Sequence, residues 1–422
     1  MANNPTTPPP SLREAAWLQD ANARRVFSAL NVDGHTARAV GGAVRNALLG
    51  EPVRDVDIAT TAPPDVTMQL AARAGLKAIP TGIDHGTVTV LAEHTPFEVT
   101  TLRKDVETFG RHARVAFTDD WAADARRRDF TINALYCDAA GTVFDPLGGY
   151  PDLAARKVRF IGNAEDRIRE DYLRILRFFR FSAEYAEGRL DPAGLDACRA
   201  LAPELDQLSR ERVRAELLRL LTAADAPAVV PAISSEILGR LVPGTLAVPL
   251  FSGIATLEGA LSRPADAILR LGALAGAHPG IALTLKDALR LSSREFERIA
   301  RMSIPDPGFD PREPEHAAKI VLYRHGPEAF DDGVLLHWAR SGAPPSDSGY
   351  RDRLSLASRW TVPTLPVRGS DILELGVQPG PRVSRIMAAF EDWWIGTNFP
   401  HDPQRLAARL AELVTETNDG EA

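Results

Sequence analysis

Residues 11–30 read SLREAAWLQDANARRVFSAL, with apolar positions returning every three or four residues. That spacing predicts one helix with Ser11 as its N-cap. A short strand ending at Val40 follows, then Gly41-Gly42 and a helix, AVRNALL, stopped by Gly50. DVDIAT, residues 55–60, reads as a strand. TVTVLA and FEVTTL, on either side of EHTP, read as a hairpin rich in β-branched residues. After Tyr150 strand patterns nearly vanish. Helical Leu/Ala/Arg/Glu periodicity runs to the end, interrupted by VPGTLAVPLFSG, SIPDPGFDPREPEH and SGAPPSDSGY as linkers or long loops. No internal repeat is visible. The pattern predicts an α/β head followed by an all-α remainder.

With 422 residues the chain is too long for one ordinary core, so two to four domains are expected. No apolar run approaches the roughly 20 residues needed to span a bilayer, and MANNPTTPPP has neither the charged nor the apolar region of a secretory signal. The two cysteines, Cys137 and Cys198, form no disulfide framework, and the nine histidines show no metal-ligand spacing. A cytoplasmic protein without a membrane partner is expected. The net charge of −7 argues against non-specific nucleic-acid coating, yet residues 156–180 carry eight Lys/Arg against four Asp/Glu, a local basic patch.

Candidate chemistry begins at GGAVRNALLGEPVRDVDIAT, residues 41–60. Two glycines before a helix let the backbone approach a ligand and aim free N–H groups at an anion, and Arg45, one turn on, adds a charged fork. Alone, Gly41-Gly42 is weak evidence, and a plain tight turn is the better reading of it. Asp55 and Asp57 alternate on the predicted strand, so both carboxylates leave the same face. Side by side they repel, and a divalent cation relieves that repulsion; Mg²⁺ takes few carboxylates and keeps positions for water and phosphate. Glu98 is either a third carboxylate or an exposed strand residue.

A second group lies in ARRRDFTINALYCD, residues 125–138. Arg127 and Arg128 suit a triphosphate, Asp129 can accept from a ribose hydroxyl, and Asn133 can donate and accept. The alternative is arginines pairing on a helix surface. In REDYLRILRFFRF, taken as one continuous helix at ~100° per residue, Ile168, Tyr172, Ile175, Leu176 and Phe179 form an apolar stripe. Asp166, Arg169, Glu170, Arg177, Arg180 and Glu184 form a charged lane. Asp171 and Arg174 share a third lane with Phe178, Phe181 and Tyr185, which suggests a polar pair in a pocket, or else a buried ion pair between helices. An acceptor-only Asp beside a donor-only Arg fits the amine and ring nitrogen of cytosine or adenine. Uracil and guanine would leave the carboxylate facing a carbonyl.

GGAVRN…DVDIAT, RRDFTINALYCD, DPLGGYPDL, EDYLRILRFFRF and LSRERVRAELLRLL occur in this order, between about residues 35 and 221. Together they resemble the class II template-independent nucleotidyltransferases, which comprise tRNA CCA-adding enzymes and bacterial poly(A) polymerases. The resemblance implies a polymerase-β-like nucleotidyltransferase head (1–150), then an all-α neck carrying a base-reading helix (151–225), a body (226–302) and a tRNA-binding tail (303–422). It also implies Mg²⁺-dependent addition of CMP and AMP, from CTP and ATP, to a 3′ end. Carried over, Asp55 and Asp57 are catalytic and hold the metal. Gly41, Gly42, Arg45, Arg127, Arg128, Asp129 and Asn133 bind triphosphate and ribose. Asp171 and Arg174 read the base, with Arg177 and Arg180 nearby. The family usually has Asp after the first-motif arginine; here it is Asn46, which leaves open what supports Arg45.

TGIDHGTVTV resembles the CCA-adding subgroup, and residues 103–125 resemble the flexible loop that complete CCA enzymes use to switch from C to A. Complete CCA addition to tRNA is therefore expected. A poly(A) polymerase or a partial enzyme is the alternative within the family. A non-catalytic RNA-binding protein would be expected to have lost Asp55 or Asp57. His401-Asp402 runs into Pro403 and reads as a loop, not a phosphohydrolase motif, and Trp393-Trp394 reads as core. Oligomeric state is open.

Overall fold

The structure, a computed structural model, describes residues 8–109 and 112–416. The chain opens with helices α1 (Ala16–Gln19) and α2 (Ala21–Leu30). They are two helices and not one, because Asp20 is extended and caps α2, its Oδ1 accepting from the N–H groups of Asn22 and Ala23. Ser11 is no cap: its hydroxyl donates to Gly141 O over 3.2 Å.

Strand β1 (Ala37–Val40), helix α3 (Gly42–Leu49), strand β2 (Ile58–Thr60) and helix α4 (Pro64–Arg73) follow. Strands β3 (Lys77–Gly82), β4 (Thr87–Ala92) and β5 (Thr95–Thr101) come next, then a separate ribbon of β6 (Arg103–Phe109) and β7 (His112–Phe117). After helix α5 (Trp121–Arg126), β8 (Tyr136–Cys137) and β9 (Val143–Phe144) complete a seven-stranded sheet ordered β3-β4-β5-β2-β1-β8-β9. Every neighbour pair is antiparallel except β2 with β5. The expected β4–β5 hairpin is present, with Thr89 opposite Glu98. Residues 103–125 form the β6–β7 ribbon and α5 instead of an open loop, while Gly110 and Arg111 lie outside the described residues.

Beyond the sheet come α6 (Tyr150–Ala154), α7 (Ala164–Glu170), α8 (Leu173–Tyr185), α9 (Pro192–Ala200) and α10 (Arg210–Thr222). From there to Glu416 the described residues are helices and connections, as expected. An aromatic cluster fixes α8 to the head: Phe130 lies 4.9 Å from Phe160 and 5.2 Å from Phe181, ring centre to ring centre, and Phe160 stacks on Phe178 at 5.5 Å. Such packed aromatic pairs add to the burial of their large apolar area. In DPLGGY, a Cβ at Gly149 would stand 2.2 Å from Thr131 O, so only glycine lets that loop close against the Thr131 backbone.

The chain divides into two compact units. The first takes Met1–Val248 with Ala265–Ala267 and Thr284–Leu291, so head and first helices form one body. The second takes Pro249–Pro264, Ile268–Leu283 and Ser292–Ala422. Within it, Trp394 is fully buried among Ile372, Ile386, Phe390 and Phe399, and Trp393 packs beside them, as expected of core. Asp402 caps the helix Pro403–Glu416, which suits a connecting role for His401-Asp402. Both cysteines are free and buried. Among the described residues no helix is long and apolar enough to cross a membrane.

Candidate active site

Gly41 caps α3 with φ 69° and ψ −117°, a backbone that only glycine adopts without strain. Its carbonyl accepts from Arg45 N–H at 2.9 Å, and a Cβ there would lie 3.8 Å from Arg128 Nη1. The turn therefore has a structural need for glycine and also faces a guanidinium.

Arg45 is 6% exposed. Its guanidinium donates to Asn133 Oδ1, to Tyr185 OH at 2.7 Å and to Asn46 Oδ1 at 3.0 and 3.2 Å, and it lies 3.9 Å from the Tyr185 ring centre. Asn46, together with Asn133 and Tyr185, supports Arg45 in this chain. Burial holds the Arg45 pKa below the usual arginine value.

The segment holding Asp55 and Asp57 is irregular, and β2 begins only at Ile58. Asp57 continues the pairing nonetheless, its carbonyl accepting from Val40 N–H at 2.9 Å. Because Ile58 pairs in parallel with Val99, Asp57 stands level with Glu98. Burial, then the charge of Glu98, pushes Asp57 above the usual carboxylate range; Asp55 adds to this and Arg128 opposes it. Crowded carboxylates of this kind suit a divalent cation. Among the described residues no three His, Cys, Asp or Glu side chains already form a metal cage.

In α5 and the turn after it, Asp124 organises the arginines. It is 1% exposed, meets Arg127 Nε at 2.7 Å and Arg128 Nη2 at 3.1 Å, and accepts from Tyr136 OH at 2.8 Å. Burial pushes its pKa up, but the two arginines outweigh that and hold it low. Asp129 also has both oxygens engaged: Oδ1 accepts from Phe130 N–H (2.8 Å) and Asn133 Nδ2 (2.9 Å), and Oδ2 from Arg177 Nη2 (2.6 Å). Burial opposes its ionisation, yet Arg177 and these hydrogen bonds keep it below the ordinary carboxylate range.

The helix expected through REDYLRILRFFRF is broken. Helix α7 ends at Glu170, Asp171 is extended at φ −156° and ψ 106°, and α8 restarts at Leu173. A continuous turn count across residue 171 therefore fails, and the two side chains are not paired: Arg174 N–H donates to Asp171 O at 3.0 Å, but its guanidinium and the Asp171 carboxylate go to other partners. Asp171 Oδ1 accepts from Leu173 N–H at 3.1 Å, and Oδ2 meets Arg212 Nη2, from α10, at 2.6 Å. Arg174 instead pairs with Glu170 at 2.5 Å and donates to the carbonyls of Arg167 (2.6 Å) and Arg127 (3.2 Å). Arg180, placed on a charged lane by the turn count, is buried between Glu216 at 2.6 Å and Glu184 at 2.9 Å.

These side chains converge all the same. One cavity of about 480 Å³ is lined by Gly41, Gly42, Arg45, Asp57, Arg127, Arg128, Asp129, Asn133, Asp171, Arg174, Arg177 and Arg212, with Leu173 and Phe181. A second, of about 780 Å³, shares Gly42, Arg45 and Asp57 and adds Asp55, Arg180 and Arg219. Glu98 lines neither and faces the carboxylates from β5. Sequence reasoning missed Asp124, Arg212 and Glu216, and gave Tyr185 a lane but no role. The i, i+3 and i, i+4 spacing of Asp124 to Arg127 and Arg128 was a usable signal; the other three meet their partners only through tertiary packing.

Residues 37–159 match the family model described as Poly A polymerase head domain, and residues 189–246 match that described as Probable RNA and SrmB-binding site of polymerase A. The human mitochondrial CCA tRNA nucleotidyltransferase 1 is 31% identical, with 90% of this chain and 87% of that protein covered. The CCA-adding enzyme of Geobacillus stearothermophilus is 32% identical over 92% of this chain and 95% of its own length. A crystal structure of the Bacillus stearothermophilus CCA-adding enzyme in complex with CTP superposes with a TM-score of 0.67 at 29% identity, covering 95% of this chain and 99% of that one.

Proposed function

This chain belongs to the family of CCA-adding tRNA nucleotidyltransferases, and on that premise we propose that it adds C, C and A to the 3′ end of tRNA from CTP and ATP, releasing pyrophosphate. The observation that carries the reading is the single cavity in which the Gly41-Gly42 turn, Arg127, Arg128, Asp57, Asp171 and Arg174 meet.

The triphosphate lies against the Gly41-Gly42 turn, with Arg45, Arg127 and Arg128 supplying charge. Asp129 and Asn133 address the ribose from a rigid hydrogen-bonded pair, braced by Arg177. Asp55 and Asp57 would hold Mg²⁺, with Glu98 adding to the local negative field; the raised Asp57 is the sign that these carboxylates suit a cation. A bound Mg²⁺ supplies neutralisation of phosphate charge and activation of the attacking 3′ hydroxyl. Asp171, paired with Arg212, accepts from the exocyclic amine of cytosine or adenine, and Arg174 donates to the ring nitrogen. Arg180 acts at one remove, through its Glu216 pair, by fixing α8 against α10.

Residues 1–150 serve as the catalytic head and 151–225 as the neck that carries base recognition. Residues 226–302 and 303–422 form body and tail, which measure the tRNA by its backbone and shape. The chain acts in a compartment that supplies tRNA and both nucleotides, which we take to be the cytoplasm. The test is extension, with Mg²⁺, CTP and ATP, of tRNA lacking its 3′ end and of tRNA ending in CC. Growth by three nucleotides and by one, each followed by a stop, is expected. A long adenosine ladder would make the protein a poly(A) polymerase.

A further inference from the structure

Arg45 is a buried cation to which, among the described residues, no carboxylate is bonded. Its acceptors are Asn46 Oδ1, Asn133 Oδ1 and the Tyr185 hydroxyl, all formally neutral. Glu184, the carboxylate whose charge bears most on it, is bonded to Arg180 at 2.9 and 3.1 Å. Buried guanidinium groups are ordinarily paired with a carboxylate, because an unpaired charge in a poorly solvated site is expensive. Leaving this one uncompensated keeps its field available to an incoming anion, and Arg45 lines both cavities of the site beside Gly42.

Asn46 has a second tie. Its Nδ2 donates to Pro52 O at 3.0 Å, and its own carbonyl accepts from Glu51 N–H at 2.8 Å. It thus joins Arg45 to the segment that runs on to Asp55 and Asp57. Only a carboxamide does both jobs: its oxygen accepts from the guanidinium while its nitrogen donates to a carbonyl. A carboxylate would take the first role, lose the second and cancel the arginine charge.

We propose that Asn46 is a positioning residue for nucleotide binding: it orients Arg45 through a neutral acceptor, leaving the guanidinium charge for the triphosphate, and ties that arginine to the chain carrying the catalytic carboxylates. This rests on the assignment of Arg45 and the Gly41-Gly42 turn to the triphosphate.

Charge and contact make opposite predictions for two variants. Asn46→Asp keeps an acceptor for Arg45 but adds a negative charge; Asn46→Ala removes every side-chain contact but leaves the charge alone. The experiment is calorimetric titration of the full-length protein with CTP and with inorganic tripolyphosphate in Mg²⁺, together with the CTP/UTP preference in extension. Asn46→Asp is expected to raise the Kd of both ligands by a similar factor, on the order of tenfold. Asn46→Ala is expected to raise it about threefold, with CTP/UTP preference unchanged in both. Weaker binding by Asn46→Ala than by Asn46→Asp would reduce Asn46 to a hydrogen-bonding brace and overturn the charge argument. Should Asn46→Asp not fold, Asn46→Ala decides alone: a Kd raised by about threefold supports the proposal, and an unchanged Kd or a loss of about tenfold or more overturns it. If the parent protein bound neither ligand, the assignment of the turn itself would fail, a different result from either variant outcome.

Discussion

Arg212 Nη2 meets Asp171 Oδ2 at 2.6 Å, joining the first turn of α10 to the break between α7 and α8. Asp171 Oδ1 is tied to Leu173 N–H, so the carboxylate is held from both sides and presents an acceptor-only edge to the cavity. Base choice then depends on a residue outside the base-reading helix. Arg212→Gln is expected to narrow the CTP-over-UTP preference several-fold and Asp171→Ala to narrow it further, by about the tenfold that loss of a charged hydrogen bond brings. Arg212→Lys should restore part of the preference. Single-nucleotide extension with CTP and UTP in parallel gives the ratios, and an unchanged ratio in Asp171→Ala would remove this carboxylate from base reading.

Asp57 has a cost and a use. Its pKa is raised, so its charged form destabilises the metal-free fold, and the sign follows directly. The neutral acid's stabilisation is complete below the unfolded carboxylate pKa and is lost as pH rises through the higher folded value. Asp57→Asn in chelator is therefore expected to melt at or above the parent's temperature near neutral pH, the difference closing in acid. The same variant, and Asp55→Ala, should lose transfer by about 10³-fold or more while still binding tRNA. Melting curves with and without Mg²⁺, beside extension assays, test both halves. Retained transfer in either variant would dismiss the two carboxylates as catalytic.

Asp124 behaves in the opposite sense. Its pKa is lowered by Arg127 and Arg128, so its contribution is present above the unfolded carboxylate value and is lost as pH falls through the depressed one. Asp124→Asn leaves two arginines around a buried neutral amide, and roughly 3 kcal/mol of stability should go with it. The deficit is largest at neutral pH and shrinks in acid. Denaturant unfolding at pH 7 and at pH 4 checks this, and a pH-independent deficit would show that shape and not charge matters there.

What could be read from the chain alone follows from the range of the interactions. Gly41-Gly42, the β4–β5 hairpin and the α/β-then-α order depend on local spacing, and each is present. The alternation of Asp55 and Asp57 led to the right neighbourhood, although β2 starts after them. The helical lanes failed at Asp171, which leaves helical geometry so that turn counting across it had no meaning, and at Arg180, which the charged lane carried and which packing against Glu216 buries. Residues 171 and 174 still reached the same cavity, because α8 is placed by Phe130, Phe160 and Phe178 and not by its own periodicity. The Asp171–Arg212 and Arg180–Glu216 pairs span dozens of residues, and no spacing rule announces a contact of that kind.

Arg180 and Glu216 show how such a long-range pair is separated from a ligand contact. Both are buried, Arg180 Nε lies 2.6 Å from Glu216 Oε2, and Arg177 approaches the same carboxylate at 3.7 Å. Removing one partner strands a charge in a dry site, so Glu216→Ala should cost about 3–5 kcal/mol. Replacing Arg180 and Glu216 together with Met and Leu removes both charges at once and should cost far less, within about 2 kcal/mol of the parent. A double-mutant cycle in denaturant measures the difference. If Arg180 instead held the nucleotide directly, the double variant would lose CTP affinity in proportion to the loss of a guanidinium. With a structural role its Kd for CTP stays within a few-fold of the parent, and that binding titration is the decisive reading.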